Sequence, residues 1–484
     1  MNHCVVQRNI MNKKNFRSCV CVALCATSML APSLLYAEAK IAKKPDVAKA
    51  KKNDAVIVPT DKLFRDALIH TYENNPRILA QRDIFEQSGE QHMQALSGWL
   101  PTVSATYSKG RRRNMFGNQR DWDYVDARTR QLDVSQPVFN VSTFYALSQA
   151  DNTIAASGAE LINITQEVLS GAIRSHLDVV RDREILKLSE HNEKVLTKHL
   201  MATRERFNVG EATRTDVSQS EARLSRAESD TIQAAANIKI ATAAFERIVG
   251  YEAPEAVAYP VDMPPLPQSL DEVVELAQKA NPRLMAAKFA EEAAHDGVGA
   301  SVTRLLPTAA VQGSVSRQEG LGFTDQAISS DSVLLNVNIP IYQAGSDHSR
   351  IRQSKEERSR RRHEMLDAGN QAREQAISAW EQYRASLAAI DAQNDVIRAA
   401  EIALDGVQQE QLYGSRTVLD VLDAEQELFI AKVTLERNKR DMILSAYNIL
   451  AVAGQLSPSM LKLGVQEYDN EDVMDGIKYQ FIGF

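Results

Sequence analysis

Slid along itself by slightly more than about 200 residues, the chain meets a second copy of its own pattern. Asn75-Pro76 falls on Asn281-Pro282, and Leu100-Pro101 on Leu306-Pro307. Gln136-Pro137-Val138-Phe139 resembles Ile339-Pro340-Ile341-Tyr342. Farther on, Gly210, Thr213, Asp216, Val217, Glu221 and Leu224 match Gly414, Thr417, Asp420, Val421, Glu425 and Leu428. The chain therefore divides into two similar halves, 61–253 and 269–454, joined by a Pro-rich linker over 254–268 and followed by a tail over 455–484.

Each half reads the same way. A short helix precedes the Asn-Pro (about 61–74 and 269–280), and a second runs on to the Leu-Pro (76–98 and 282–303), because proline opens a helix but disfavours the helical state in the residue before it. A pair of short segments with period-two alternation follows in each half. Each half then ends in more than 110 residues without a proline, 138–253 and 341–457, which favours long unbroken helices. Apolar residues recur there every seven positions, as Val217, Leu224, Ile238 and Phe245 in the first half and Val421, Leu428, Leu435, Met442 and Ile449 in the second. Sustained heptads predict helix-on-helix packing. Gly210 and Gly414 stand where a helical hairpin would reverse. The arm before each turn is close to ~65 residues, on the order of 100 Å, a reach suited to a structure that bridges a compartment.

The amino end supplies the compartment. Lys13, Lys14 and Arg17 precede an apolar run over 19–37 with a small-residue exit at Ala37 or Ala39, the layout of a secretory signal over 1–37. Counting from Met11 gives the usual layout of a short basic region before the apolar core, and a start at Met1 or at Met11 alike means export. Residues 38–60, rich in Lys, Ala and Asp without an apolar period, read as a flexible leader. All four cysteines, Cys4, Cys19, Cys21 and Cys25, lie in the signal, which excludes disulfides, thiolate-bound metal and a cysteine nucleophile from the exported chain. Loss of Arg8, Lys13, Lys14 and Arg17 takes the formal charge from −7 to about −11, a sign that disfavours nucleic acid as a partner. No later stretch approaches the roughly 18 apolar residues of a spanning helix, so entry into a membrane must use strands.

Four segments have the right form. In 102–112, Val103, Ala105 and Tyr107 alternate with Thr and Ser; in 128–138, Leu132 and Val134 alternate with Gln131, Asp133 and Ser135. In 307–317 the apolar set is Val311, Gly313 and Val315, and in 331–341 it is Val333, Leu335, Val337 and Ile339, with Leu334 as the exception to the alternation. Each approaches the roughly 9–11 residues of a tilted membrane strand, apolar toward lipid and polar toward a lumen. Pro101, Pro137, Pro307 and Pro340 bound them, marking where strand would give way to helix. Trp99, Phe139 and Tyr342 lie at the same borders, as part of an interfacial aromatic belt or as packing under the strands. Four strands cannot close a barrel, and an open edge in hydrocarbon would strand peptide groups at several kcal/mol each. The protomer must share its barrel with copies of itself, and a duct favours at least three, because side chains nearly fill an eight-stranded bore.

The segment FNVGEATRTDVSQSEARL (207–224) and its partner LYGSRTVLDVLDAEQEL (412–428), with the Asn-Pro, Leu-Pro and Gln-Pro-Val-Phe marks, resemble the TolC-like outer-membrane efflux and type I secretion family over about residues 61–455. The resemblance implies a fold of α plus transmembrane β: long coiled-coil helical hairpins forming a tunnel, four membrane strands per chain, and a barrel shared within a homotrimer. It implies an equatorial belt built from the linker and the carboxyl-terminal tail. It also implies docking with a periplasmic adaptor (membrane fusion) protein and an inner-membrane transporter of the ABC, RND or MFS type. In that family the periplasmic mouth is held nearly shut by links between hairpins and by acidic rings. The LDVLDA stretch places Asp420 and Asp423 on the ring aspartates and Arg416 on the linking arginine, and RTDV places Asp216 on its acidic partner. Where the family carries a lock tyrosine this chain has Gln411, with Tyr413 two residues on.

Physically, carboxylates from several copies around a narrow axis would concentrate negative potential and favour cations. The local alternative is that Asp216 and Asp420 sit in first helical turns, where the helix dipole stabilises an acid. The tips at Gly210-Glu211 and Gly414-Ser415 are candidate adaptor contacts, or plain turns. Arg111, Arg112 and Arg113, with Trp122 and Tyr124, fall in an expected external loop over 110–127, solvated or touching lipopolysaccharide phosphates. The run 358–362 reads as a charged helix face, and Phe484, at a periplasmic carboxyl end, is given no signal role. The sequence carries no HExxH, Walker or Rossmann glycine pattern, and Gly-Leu-Gly at 320–322 lacks the spacing. His176, His191 and His199 are scattered on one long helix and read as solvent or interface residues. No enzyme, metal or cofactor is expected. The rival reading, a soluble periplasmic coiled-coil adaptor, explains the hairpins but not four amphipathic strands.

Overall fold

The computed structural model describes residues 59–114, 123–255, 257–320 and 327–477. All belong to the compact unit Ile57–Phe484. The signal, the leader up to residue 58, Trp122, most of the Gly-Leu-Gly and Phe484 lie outside the described residues.

Each half places its helices in the expected order. In the first, α1 (Pro59–Asn74) and α2 (Pro76–Leu96) lead through a 3₁₀ turn at Ser97–Trp99 to strands β1 (Thr102–Asn114) and β2 (Asp123–Phe139). The chain then forms the hairpin of α3 (Ser142–Asn208, 67 residues) and α4 (Arg214–Val249, 36 residues). The second half repeats this as α5 (Leu270–Ala280), α6 (Pro282–Thr303), β3 (Thr308–Glu319), β4 (Ile328–Asn338), α7 (Ser346–Leu412, again 67 residues) and α8 (Val418–Val452, 35 residues). A short α9 (Asn470–Ile477) closes the described tail. At about 1.5 Å per residue, each long helix reaches ~100 Å. Helix α1 begins two residues inside the expected leader, with Pro59 as its first residue, the position at which a missing N–H costs nothing.

The repeated asparagines explain how one long helix is matched by two shorter ones. Asn75 caps α2 by accepting from the Arg77 N–H at 2.9 Å, and its Nδ2 donates to the Ile248 carbonyl at the end of α4 at 2.7 Å. Asn281 does the same for α6, accepting from Arg283 at 3.1 Å and donating to Val452 of α8 at 3.1 Å. The returning arm of each hairpin thus meets the start of the upper helix end to end, and both pack along the long helix, α2 and α4 on α3, α6 and α8 on α7. Helix α3 also packs on α6 and α8, joining the halves.

The main core lies where these junctions meet. Leu68, Ile78, Leu169, Ile173, Leu177, Phe245 and Leu450 are buried together there, with Val257 from the linker and Leu456 and Leu463 from the tail. His176 is in this core, 1% exposed, with Phe64 edge-on at 5.0 Å, so the reading of His176 as a solvent or interface residue is corrected: its helix face points inward. Burial holds its pKa down to about 4, with help from the Arg183 charge and against a hydrogen bond to the Ala258 carbonyl.

The strands form one antiparallel sheet in the order β1-β2-β3-β4. The two hairpins are joined through β2 and β3, with Leu132 opposite Val315. Several strand limits differ from expectation. Strands β1 and β2 extend into the expected external loop, to Asn114 and from Asp123, so Arg111, Arg112, Arg113 and Tyr124 are strand residues. Strand β4 spans Ile328–Asn338, not 331–341, because Pro340 lacks the N–H a further ladder bond needs. Pro137 does not end β2 but lies within it, at a register shift between Pro137 and Phe139 where the ladder tolerates a missing donor. Pro101 and Pro307 directly precede β1 and β3, as expected.

Candidate functional site

Both hairpin tips are built by the same local rules. Helix α3 ends in a Schellman motif: Gly210, at φ +83°, donates to Phe207 O at 3.0 Å and Glu211 N–H reaches Arg206 O at 2.7 Å. Helix α7 ends identically, with Gly414 at φ +76°, Gly414 to Gln411 O at 3.0 Å and Ser415 to Glu410 O at 3.0 Å. The return helix then starts on a capping box in each case. Thr213 and Asp216 cap α4, and Thr417 and Asp420 cap α8, each Asp accepting from the cap N–H at 2.8 Å. The local role of both aspartates is therefore present. These bonds, the Thr417 N–H first, hold the Asp420 carboxyl below its usual range, with the Arg416 charge adding to the effect.

Arg416 folds back on its own tip, with Nε 2.9 Å from Glu410 Oε2. No ion pair joins it to Asp216 among the described residues. Tyr413 is the cap residue of α7 and is 87% exposed. Asp423, one turn beyond Asp420, is bonded instead to Arg223 of α4, across the two hairpins. A small apolar cluster lies beside this link: Leu196 of α3, Ala227 of α4 and Leu422 of α8 are buried together, with Leu224 and Val418 at its edge. His199 of α3 stands 3.6 Å from Glu425 of α8, which also accepts from Gln408 at 3.2 Å. The structure thus joins the hairpins just above their tips, and Arg223, which holds Asp423 there, is the residue that sequence reasoning missed. The available signal was the heptad: Arg223 sits beside Leu224 and seven residues after Asp216, where coiled coils place interhelical charge.

The sheet has two unlike faces. One carries Val103, Ala105, Leu132, Val134, Val311, Val315, Val333, Leu335 and Val337, and Val333 is 77% exposed. The other carries mostly Ser, Thr, Gln and Asn side chains, with Asp133 and the exposed Leu334 among them, and they bond among themselves, as Gln131 to Asp133 at 2.8 Å and Asn336 to Gln312 at 2.5 Å. At the helical end, Phe139, Phe144, Ile341 and Tyr342 are exposed, and Trp99 stacks edge-on to Phe144 at 4.7 Å. Below it, the 358–362 run is the charged helix face expected, with Arg358 reaching Glu291 of α6 at 3.1 Å. No helix among the described residues is long and apolar enough to cross a membrane, whereas this sheet presents an apolar face with β1 and β4 as unpaired edges.

Paired helical rods on the order of 100 Å long, hung from an open-edged amphipathic sheet, define a subunit of a tunnel-and-barrel export channel. The chain belongs to the outer membrane efflux protein family, whose model matches it twice, at residues 69–251 and 273–455. The outer membrane efflux protein BepC of Brucella suis is 32% identical over 419 residues, 86% of this chain and 91% of BepC. The outer membrane protein TolC of Escherichia coli is 23% identical over 404 residues, 79% of this chain and 80% of TolC. Among solved structures, CusC superposes with a TM-score of 0.73 at 16% identity, over 81% of this chain and 92% of CusC, a likeness of fold. The protein is thus an outer-membrane efflux protein, and the soluble-adaptor alternative gives way.

Proposed function

We propose that three copies pool their strands into a twelve-stranded barrel and their hairpins into one periplasmic tunnel, a passive exit duct opened by a periplasmic adaptor and an energised inner-membrane transporter of the ABC, RND or MFS class. The open-edged sheet carries this reading. Its apolar face belongs in hydrocarbon, where unpaired edges are not tolerated, and a twelve-stranded ring leaves a bore that an eight-stranded one does not. The tips at Gly210-Glu211 and Gly414-Ser415 are the adaptor's contacts. Linker and tail, packed into the main core, form the belt around the tunnel.

Asp420 and Asp423 line the closed mouth, and Arg416 and Asp216 belong to its links. A capping role does not conflict with this, because the cap bonds engage Oδ2 of Asp420 and leave Oδ1 outside them. Planar-bilayer recording tests the reading. The purified protein should form cation-preferring channels, and Asp420→Asn with Asp423→Asn should lower that preference. Unchanged reversal potentials would remove the gate, and absence of any conductance would remove the duct. The cargo, drug or protein, is chosen by the transporter; a deletion strain compared with its parent for drug sensitivity and secreted proteins identifies it.

A further inference from the structure

Along the apolar face of the sheet, the chemistry changes within two residues. The row Ala105–Leu132–Val315 is apolar on three strands, with Asp331 completing it on β4. The next row of the same face is Tyr107–Arg130–Arg317, and the one after it is Lys109–Arg128–Glu319. Arg111 lies one step farther, opposite Asp126. Five cations from three neighbouring strands thus stand directly above the apolar band, at the end of the sheet away from the helices. Two pairs of them are directly opposed in register, Lys109 with Arg128 and Arg130 with Arg317. Like charges so placed destabilise a sheet. Glu319 answers part of this repulsion, at 4.0 Å from Arg128 and 3.1 Å from Arg317. Lys109 and Arg130 are exposed and have no ion-pair partner among the described residues.

We propose that this patch binds the phosphates of lipopolysaccharide, with Arg128, Arg130 and Arg317 as the principal ligands and Lys109 beside them. Charge complementarity and position select the partner. Arginine forks match phosphate oxygens in pairs, and a dianion seated between Arg130 and Arg317 removes the repulsion that the bare sheet carries. The patch begins where the apolar band stops, the depth at which an outer leaflet of phosphorylated glycolipid presents its headgroups. Tyr107, opposite Arg130 and exposed, occupies that interface as amphipathic aromatics do. The same chemistry in a free phosphate ion would lack the acyl chains that the band below receives.

The proposal rests on this face pointing to lipid, as in the barrel described above. The test is a titration of the purified, assembled protein with bis-phosphorylated lipid A in mixed micelles, read as lipid retained per protein. The parent should retain phosphorylated lipid A in preference to its dephosphorylated form, and salt should weaken the preference. Arg128→Gln with Arg130→Gln and Arg317→Gln should lower retention at least about tenfold. A matched variant, Arg360→Gln with Arg361→Gln and Arg398→Gln, should bind as the parent does. Equal retention by the parent and the patch variant overturns the proposal, as does indifference to phosphorylation. Competition by inorganic phosphate as effective as that by lipid A makes the site one for a free anion and overturns it as well. If the triple variant does not assemble, Arg130→Gln alone takes its place. If the face instead lines the bore, the patch variant shifts the reversal potential in bilayers and leaves lipid retention unchanged.

Discussion

Arg223 sets how much acid the two hairpins present at their tips. Its guanidinium holds Asp423 from 200 positions away, so one of the two carboxylates in LDVLDA is neutralised within its own chain. Arg223→Gln should raise cation preference in bilayers, opposite in sign to the double Asp→Asn variant. Because Asp423 is more than half exposed, the pair adds only about 0.2–1 kcal/mol to folding, and thermal stability should hardly change. A variant with unaltered ion selectivity would detach Arg223 from the mouth. His176 has the contrary character, a stability role without a channel role. Its folded pKa, near 4, lies below the unfolded value of about 6.5, so the unfolded chain takes up the proton first as pH falls. Stability is full above about pH 6.5 and declines toward pH 4, by roughly 3 kcal/mol in all. His176→Gln should flatten that decline when the dissociation temperature of the assembled protein is followed from above the window, near pH ~7.5, down into it, near pH ~4.5. The caps at Asp216 and Asp420 were readable because threonine and aspartate stand three apart. Arg223 and the burial of His176 were not, because each depends on which helix lies across from it.

At the level of elements, the repeated glycines separate conformational need from packing need. Gly414 turns the α7 tip at φ +76° with open space around it, whereas Gly454, at φ +72°, ends α8 with a notional Cβ only 2.1 Å from the Ala280 carbonyl oxygen. Gly414→Ala should cost about 1–2 kcal/mol, the left-handed backbone term alone, and act only on the hairpin end. Gly454→Ala adds a steric clash against backbone and should cost roughly 2–5 kcal/mol, loosening the α5–α8 junction. Limited proteolysis compared with thermal dissociation distinguishes them: the first variant is nicked sooner at the tip, the second dissociates at lower temperature. The helices were legible almost to the residue, since proline, glycine and heptads all act locally. Strand ends were less so. Alternation runs through Ile339 and Ile341 as though β4 continued, yet its ladder with β3 stops at Asn338, short of Pro340; Pro137 looks like a stop, yet pairing of β2 with β3 carries the strand past it. The pairing of β2 with β3 joins residues 170 or more positions apart, beyond the reach of any local pattern.

For the assembled molecule, the deciding fact is that adjacent residues of β4 belong to different solvents. Leu335 lies in the middle of the apolar run from Val333 to Ile339 and is 65% exposed, while Asn336 faces the polar side and bonds to Gln312. An arginine on the lipid face near the bilayer midplane costs about 2–4 kcal/mol per chain, and closure multiplies the cost by the number of copies. Leu335→Arg should therefore deplete the heat-sensitive multimer from outer membranes. Asn336→Arg, one residue away, should leave the multimer in place and reduce cation current, because its charge enters the bore. The pair separates two failures that a single substitution confuses. If both variants assemble normally, the apolar face does not meet lipid. If both are lost, the sheet tolerates charge on neither side and the bore is not water-filled there. Only the split outcome requires a closed ring with lipid outside and water inside, a property no single chain with four strands can possess.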